Sequence, residues 1–238
     1  MNLAEFLIKE IEELGVDFIP IYQSGNALKL IDEAGKSSRI TTIVPYQEQA
    51  VAMAVEAYAR FNGFGVGIVG TGPAASNLVT GVMSAYCDSI PCLFITGQVG
   101  MYHNMRGRAV RQRGFQELDV EALMKPITKY SKLVDKPEEI KYELHKAVHI
   151  AKSGRPGPVV LDIPYNVQHA EIDPDELRDF QGPVEASLIS DQQLSKYCQL
   201  INDELNKAHR PLILLGGGVR IADQVPNIRK LIDHLQIP

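Results

Sequence analysis

Three short stretches carry residue types that could do chemistry, and each stands where a strand-like run gives way to a helical one. Glu48 opens the helical stretch Gln47 to Arg60, and it shares a largely apolar helix face with Ala52, Val55 and Ala59. A carboxylate on such a face needs a partner. The plainer alternative is a first-turn glutamate that only favours the positive end of the helix dipole. Gly70-Thr71-Gly72-Pro73-Ala74-Ala75-Ser76-Asn77 follows an apolar run and opens the next helix, where exposed backbone N–H groups and a close-approach turn are useful to a ligand. As structure alone, the same turn would serve tight packing of helix on sheet. The third stretch, Gly114-Phe115-Gln116-Glu117-Leu118-Asp119, comes after a connection longer than an ordinary α/β loop, and long loops in compact domains are often functional. Its bland reading is a helix start with acidic first-turn residues.

Gly70, Gly72 and Ala75 also satisfy a G-x-G-x-x-A dinucleotide fingerprint, so a nucleotide-binding oxidoreductase domain is an alternative. That fold wants an acid about 20 residues on, at the end of the next strand, to hold the ribose. Here the next strand ends Phe94-Ile95-Thr96-Gly97-Gln98, without an acid.

Other candidates weigh less. Cys87, Cys92 and Cys198 have spacings that match no metal or disulfide framework, and buried, reduced thiols are expected. His145 and His149 stand four apart on a helix, but Lys146 occupies the place of a zinc protease's glutamate, so a structural or surface pair is expected. The basic cluster from Arg106 to Arg113 reads as a solvated loop, against a small anion or substrate contact. With a net charge of -5 and scattered Lys and Arg, the chain carries no electrostatic footprint for nucleic acid. Its start, MNLAEFLIKEIEEL, is an amphipathic helix without signal-peptide features, and no apolar run reaches membrane-spanning length. A soluble, cytoplasmic protein is expected.

The elements that must position these residues follow from periodicity. Short β-branched apolar runs at 17–22, 40–44, 66–69, 91–96, 127–133 and 158–163 alternate with helical stretches near 3–14, 25–34, 47–61, 74–87, 117–123 and 137–152. That pattern predicts a doubly wound α/β domain, a six-stranded mainly parallel sheet with helices on both faces, over residues 1–168. Residues 169–190 read as a linker. Residues 191–238 read as the start of a second α/β domain: a helix at 191–207, a strand at 211–215, Gly216-Gly217-Gly218, and a helix to about 235. One βα unit is too little to bury a core, so this piece looks truncated.

In order and spacing, the stretches EQAVAMAVEAYAR, GTGPAASNLVTGVMSAYCDSIPCLFITGQV, RQRGFQELDV, KPITKYSKLV and SGRPGPVVLDIPYNVQ resemble the thiamine-diphosphate enzymes of the acetolactate synthase type. HRPLILLGGGVR resembles the start of that family's central domain. The resemblance implies that Glu48 hydrogen-bonds N1′ of the cofactor's aminopyrimidine, favouring the 4′-imino form that removes the C2 proton of the thiazolium. It places Tyr22, Gly25, Pro73 and Asn77 beside the cofactor, Gln116 near the reacting centre, and Ser24 and Phe115 with Gln116 on the substrate side. The reaction implied is decarboxylation of a 2-oxo acid and transfer of the resulting carbanion to a carbonyl acceptor. A simple 2-oxo acid decarboxylase and a non-catalytic binding subunit are the other readings.

Two departures qualify this. The family's VFGYPGG-like segment is here IPIYQSG, with Gln23 and Ser24 in place of the proline and one glycine, and Gln47 precedes the acid where a histidine is often found. These changes bear on substrate, not on Glu48. The family's Gly-Asp-Gly … Asn motif, which holds Mg²⁺ and the diphosphate in a C-terminal domain, does not occur in the 238 residues. A complete site is then implied to need that domain from a second copy of the same chain. FAD, where such enzymes carry it, depends mainly on the central domain, of which only Gly216 to Gly218 is present.

Overall fold

The computed structural model describes residues 1–183 and 189–238, and the chain divides into two compact units, the first ending at Pro183. In the first unit the order is α1 (Leu3–Glu13), β1 (Phe18–Pro20), α2 (Leu28–Lys36), β2 (Thr41–Ile43), α3 (Glu48–Asn62), β3 (Gly65–Gly70), α4 (Pro73–Asn77), α5 (Val79–Asp88), β4 (Cys92–Gln98), α6 (Val120–Met124), β5 (Tyr130–Leu133), α7 (Ile140–Lys152), β6 (Val159–Pro164) and α8 (Tyr165–Gln168).

All strand pairings are parallel. Strands β3, β4, β6 and β5 form one sheet in that order, while β1 and β2 form a pair. A bridge between Ile21 and Ile68, with the Tyr22 N–H donating to the Ile68 carbonyl at 3.0 Å, joins the pair to β3. The six strands therefore run in the order β2-β1-β3-β4-β6-β5. Every residue of β3, β4 and β6 is buried, which is why these runs are apolar throughout rather than alternating.

Two apolar clusters cover the sheet. One packs α1, α2 and α7 on Val66, Ile68, Leu93, Ile95, Leu161 and Ile163. The other packs α3, α4, α5 and α6 on Val69, Cys92, Phe94 and Val160. Helix α3 sits close to β3 because the strand offers it glycines: a Cβ at Gly67 would stand 2.6 Å from Val55 Cγ2. From β1 the chain turns outward to β2, and from β3 it turns the other way to β4. The chain thus leaves β1 and β3 in opposite directions, and in this class the usual ligand position is the crevice at the carboxyl ends of the strands where the order reverses.

Several local expectations need adjusting. The helix expected over 74–87 is broken at Leu78, and the one expected from 117 begins at Val120, capped by Asp119, whose carboxylate accepts the Ala122 N–H at 3.0 Å. Cys92 is buried as expected, but Cys87, on α5, and Cys198 are exposed. Residues 169–183, read from composition as linker, belong to the first unit. Leu3 N donates to Ala170 O at 2.9 Å, Ile172 N to Met1 O at 3.0 Å, and Phe180 packs edge-on against Tyr142.

In the second unit, α9 (Asp191–Lys207) forms at the expected residues and starts with a capping box between Ser190 and Gln193. Helices α10 (Gly218–Ile221) and α11 (Val225–Leu235) follow. Pro211 to Leu215, expected as a strand, takes no regular secondary structure. A strand is made by its neighbour, and among the described residues this unit holds no second one. No helix among the described residues is long and apolar enough to cross a membrane.

Candidate functional site

The crevice gathers stretches far apart in sequence. Glu48 is the first residue of α3 and half-buried, and the face below it is packed, with Ala52 and Val55 fully buried and Ala59 nearly so. Its Oε2 accepts a hydrogen bond from Asn77 Nδ2 at 2.9 Å. Its Oε1 accepts none among the described residues. Asn77 ends α4, 29 residues on, just before the break at Leu78 that separates α4 from α5.

The turn between β3 and α4 lies against both neighbouring loops. A Cβ at Gly70 would overlap the Ser24 hydroxyl, and one at Gly72, whose φ of 63° is left-handed, would overlap the Gln116 backbone carbonyl. Gly70 and Gly72 are therefore close-approach glycines that bring Ser24 and Gln116 to the same turn. Thr71 between them is 3% exposed, and its hydroxyl has no hydrogen-bond partner among the described residues. Pro73 stands exposed at the start of α4. Gln116 itself has a left-handed φ of 55° and, like Phe115 (79% exposed), faces solvent. Tyr22 is half-buried against the α3–α6 cluster. Gly25 begins a single 3₁₀ turn, and open space surrounds the point where a Cβ would stand. Nothing within this chain requires glycine there.

Other candidates are occupied or structural. Arg106 pairs with Glu121 at 2.9 Å and Asp119 at 3.8 Å, while Arg113 donates to the Tyr102 carbonyl and covers its ring. His145 bridges Glu10, at 2.7 Å, and Asp179. No group of side chains suited to a metal ion occurs among the described residues.

Sequence reasoning missed a polar network beneath the loop. Glu117 is not a helix-start residue: it is buried, and its carboxylate accepts the N–H groups of Met105, Arg113 and Gly114 at 2.5, 2.9 and 3.0 Å. Asp162 on β6 is 2% exposed and accepts from the Thr96 hydroxyl at 2.6 Å and from Gln98 Nε2 at 2.7 Å. Burial pushes the Asp162 carboxyl up to about 7, against the pull of those two hydrogen bonds and of the Arg106 charge. Its signal in the sequence was an acid inside the otherwise apolar run VVLDIP.

A family model described as "Thiamine pyrophosphate enzyme, N-terminal TPP binding domain" matches residues 1–123 of the 238. Similarity to named proteins extends over the whole chain. It is 37% identical over 244 aligned positions to a "Probable acetolactate synthase large subunit" of Methanocaldococcus jannaschii, covering 100% of this chain and 39% of that one. It is 38% identical to an "Acetolactate synthase" of Arthrospira platensis, covering 98% of this chain and 40% of that one. It is 34% identical to an "Acetolactate synthase large subunit" of Corynebacterium glutamicum, covering 100% of this chain and 37% of that one. The chain thus spans about two fifths of the length of these curated relatives. With its crevice at the strand-order reversal and its match to the family model over more than half its length, the chain belongs to the thiamine pyrophosphate enzymes, as their N-terminal TPP-binding domain.

Proposed function

We propose that the crevice binds the aminopyrimidine of thiamine diphosphate, in an enzyme that decarboxylates a 2-oxo acid and transfers the resulting carbanion to a carbonyl acceptor. The observation that carries this is Glu48: half-buried at the mouth of the crevice, steadied through Oε2 by Asn77, with Oε1 left for a ligand. The surroundings fit such a group. Gly70 and Gly72 let the Ser24 and Gln116 loops close on the β3–α4 turn beside Glu48 and Asn77, and the Thr71 hydroxyl within that turn has no partner among the described residues.

In this reading, Glu48 holds a proton on the ring nitrogen opposite its free oxygen, and the Asn77 amide keeps the carboxylate turned toward it. Pro73 and Tyr22 bound the ring's pocket and Gly25 borders it. Ser24, Phe115 and Gln116 stand on the substrate side, Gln116 near the reacting carbons. Bound there, thiamine diphosphate would supply a thiazolium carbon that is nucleophilic once its proton is removed, so the protein's share is orientation, proton placement and exclusion of water.

Mg²⁺ and the diphosphate would be held by a further domain, and residues 191–238 would open the central domain that precedes it. FAD, if carried, would sit there. The partner in this arrangement is a second copy of the chain. Met53 and Phe61 on α3 and Met83 and Tyr86 on α5 are exposed by 48, 83, 43 and 42%, an apolar surface that a subunit interface would cover.

The test is proton–deuterium exchange at C2 of bound thiamine diphosphate in the full natural chain. Glu48→Gln should slow exchange by roughly 10² to 10⁴, the usual worth of acid–base assistance. An unchanged rate removes Glu48 from the mechanism.

A further inference from the structure

The loop that carries Phe115 and Gln116 is held from below by side chains to which the proposed chemistry gives no part. Thr96 and Gln98 at the end of β4 and Asp162 on β6 lie on the sheet face covered by α6, with Thr96 in register with Asp162 and Gln98 with Pro164. All three are buried. Every polar atom of Gln98 is committed: Oε1 accepts the Val99 N–H at 2.9 Å, and Nε2 donates to Asp162 Oδ2 at 2.7 Å and to the Leu118 carbonyl at 2.9 Å. Turned over, the amide would set its oxygen against a carboxylate and a carbonyl and leave the Val99 N–H facing a donor. Asp162, the Leu118 carbonyl and the Val99 N–H therefore agree on one sense of the Gln98 amide, and Gln98 holds Leu118.

At the other end of the same turn, Glu117 gathers the N–H groups of Arg113 and Gly114. Between these two anchors lie only Phe115 and Gln116, both exposed, with the Gln116 carbonyl against Gly72. A five-residue turn pinned at both ends by buried side chains has little freedom, so its exposed pair stands at a set height over the crevice.

We infer that Gln98, oriented by Asp162, is a positioning residue that sets the Phe115–Gln116 turn over the crevice through the Leu118 carbonyl. This rests on the reading that Gln116 stands near the reacting carbons. In the full natural chain, Gln98→Ala should raise amide hydrogen exchange across residues 113–118 by about fivefold, the worth of one lost hydrogen bond. It should lower kcat by roughly 10- to 100-fold through misplacement of the turn. The KM for the 2-oxo acid and the exchange of C2 on bound cofactor, the step assigned to Glu48, should stay near wild type.

Asp162→Asn keeps an oxygen for Gln98 and should stay near wild type in amide exchange, kcat and KM, whereas Asp162→Leu leaves one Nε2 hydrogen of Gln98 without its buried acceptor, loosens the amide and should follow Gln98→Ala in direction. If Gln98→Ala does not fold, the pair Gln98→Met with Asp162→Leu removes both partners without leaving a buried carboxylate, and it should show the same faster amide exchange. Unchanged amide exchange at 113–118 in a folded variant overturns the inference. So does a loss in C2 exchange equal to the loss in kcat, which would mark a general disturbance of the site. If instead Glu48→Gln leaves C2 exchange at the wild-type rate, the functional reading fails, while amide exchange still decides whether Gln98 positions the turn.

Discussion

The acids at the mouth of the crevice and in the body beneath it are treated oppositely. Glu48 and Glu56 lie eight residues apart on α3. Among the described residues Glu48 has one neutral partner, on Oε2, whereas Glu56 is 8% exposed and its Oε1 takes both a charged partner, the Arg60 guanidinium, and the Ser84 hydroxyl, at 3.0 Å. Arg60 also reaches Asp88, making a chain of charges that ties α3 to α5. Asp162 and Glu117 go further and are saturated, each oxygen of Asp162 bonded and Glu117 filled by three backbone N–H groups. A saturated acid holds structure, and its removal costs stability. An acid that keeps an oxygen free at a cleft retains its capacity for a ligand.

The sharpest break of this comparison is at Glu48. Glu48→Gln should cost about 3 to 5 kcal/mol in the barrier to C2 ionisation, yet change unfolding free energy by less than about 0.5 kcal/mol, since Gln preserves size and most of the contact with Asn77. A destabilised variant would mean that Glu48 holds structure after all.

Asp162 comes next. Its carboxyl is raised from an ordinary 3.8 to about 7, so the folded chain keeps a proton that the unfolded chain releases. The contribution is fully present below about pH 4 and is lost as pH rises to about 7, a change on the order of a few kcal/mol. Denaturant titrations at pH 5 and pH 8 should show this slope in the wild type and lose most of it in Asp162→Asn. An undiminished slope would assign it to other groups.

Smaller still, Glu56→Ala should destabilise by about 1 to 3 kcal/mol, because it strips partners from Arg60 and Ser84, while C2 exchange stays near wild type. Slower C2 exchange in Glu56→Ala than in Glu48→Gln would reverse the two roles. The least effect is expected at His145. Burial works against its charge, but Glu10 and Asp179 outweigh that and hold its pKa above the ordinary value. Its contribution is present below about pH 6.5 and fades as pH rises through the raised value, by less than about 1 kcal/mol because the group is partly exposed. The check is the amide-exchange protection of residues 172–180 relative to the intrinsic rate at each pH, which should fall at alkaline pH in the wild type and be low at all pH in His145→Ala.

The fold was legible because its cause is local. Fully buried parallel strands must read as apolar runs: the run 66–69 falls within β3, and those at 91–96 and 158–163 overlap β4 and β6 with ends one or two residues off. Where a neighbour was missing, the same rule over-reached: Pro211 to Leu215 has a strand's composition and no strand to pair with among the described residues. The segment 169–183 misled for the converse reason, because Phe180 and Asp179 take their packing from α7, which a proline-rich composition does not reveal.

The sequence by itself determined the alternation of strands and helices, the glycines of the β3–α4 turn, and the motif order that marks the family. Only the tertiary structure decided that Glu48 meets Asn77, that Gln116 lies against Gly72, and that Asp162 orients Gln98 across 64 residues of chain. Periodicity is written in neighbouring residues. The partner of a polar side chain depends on strand register and on where a helix breaks, and these are settled only when distant segments pack together.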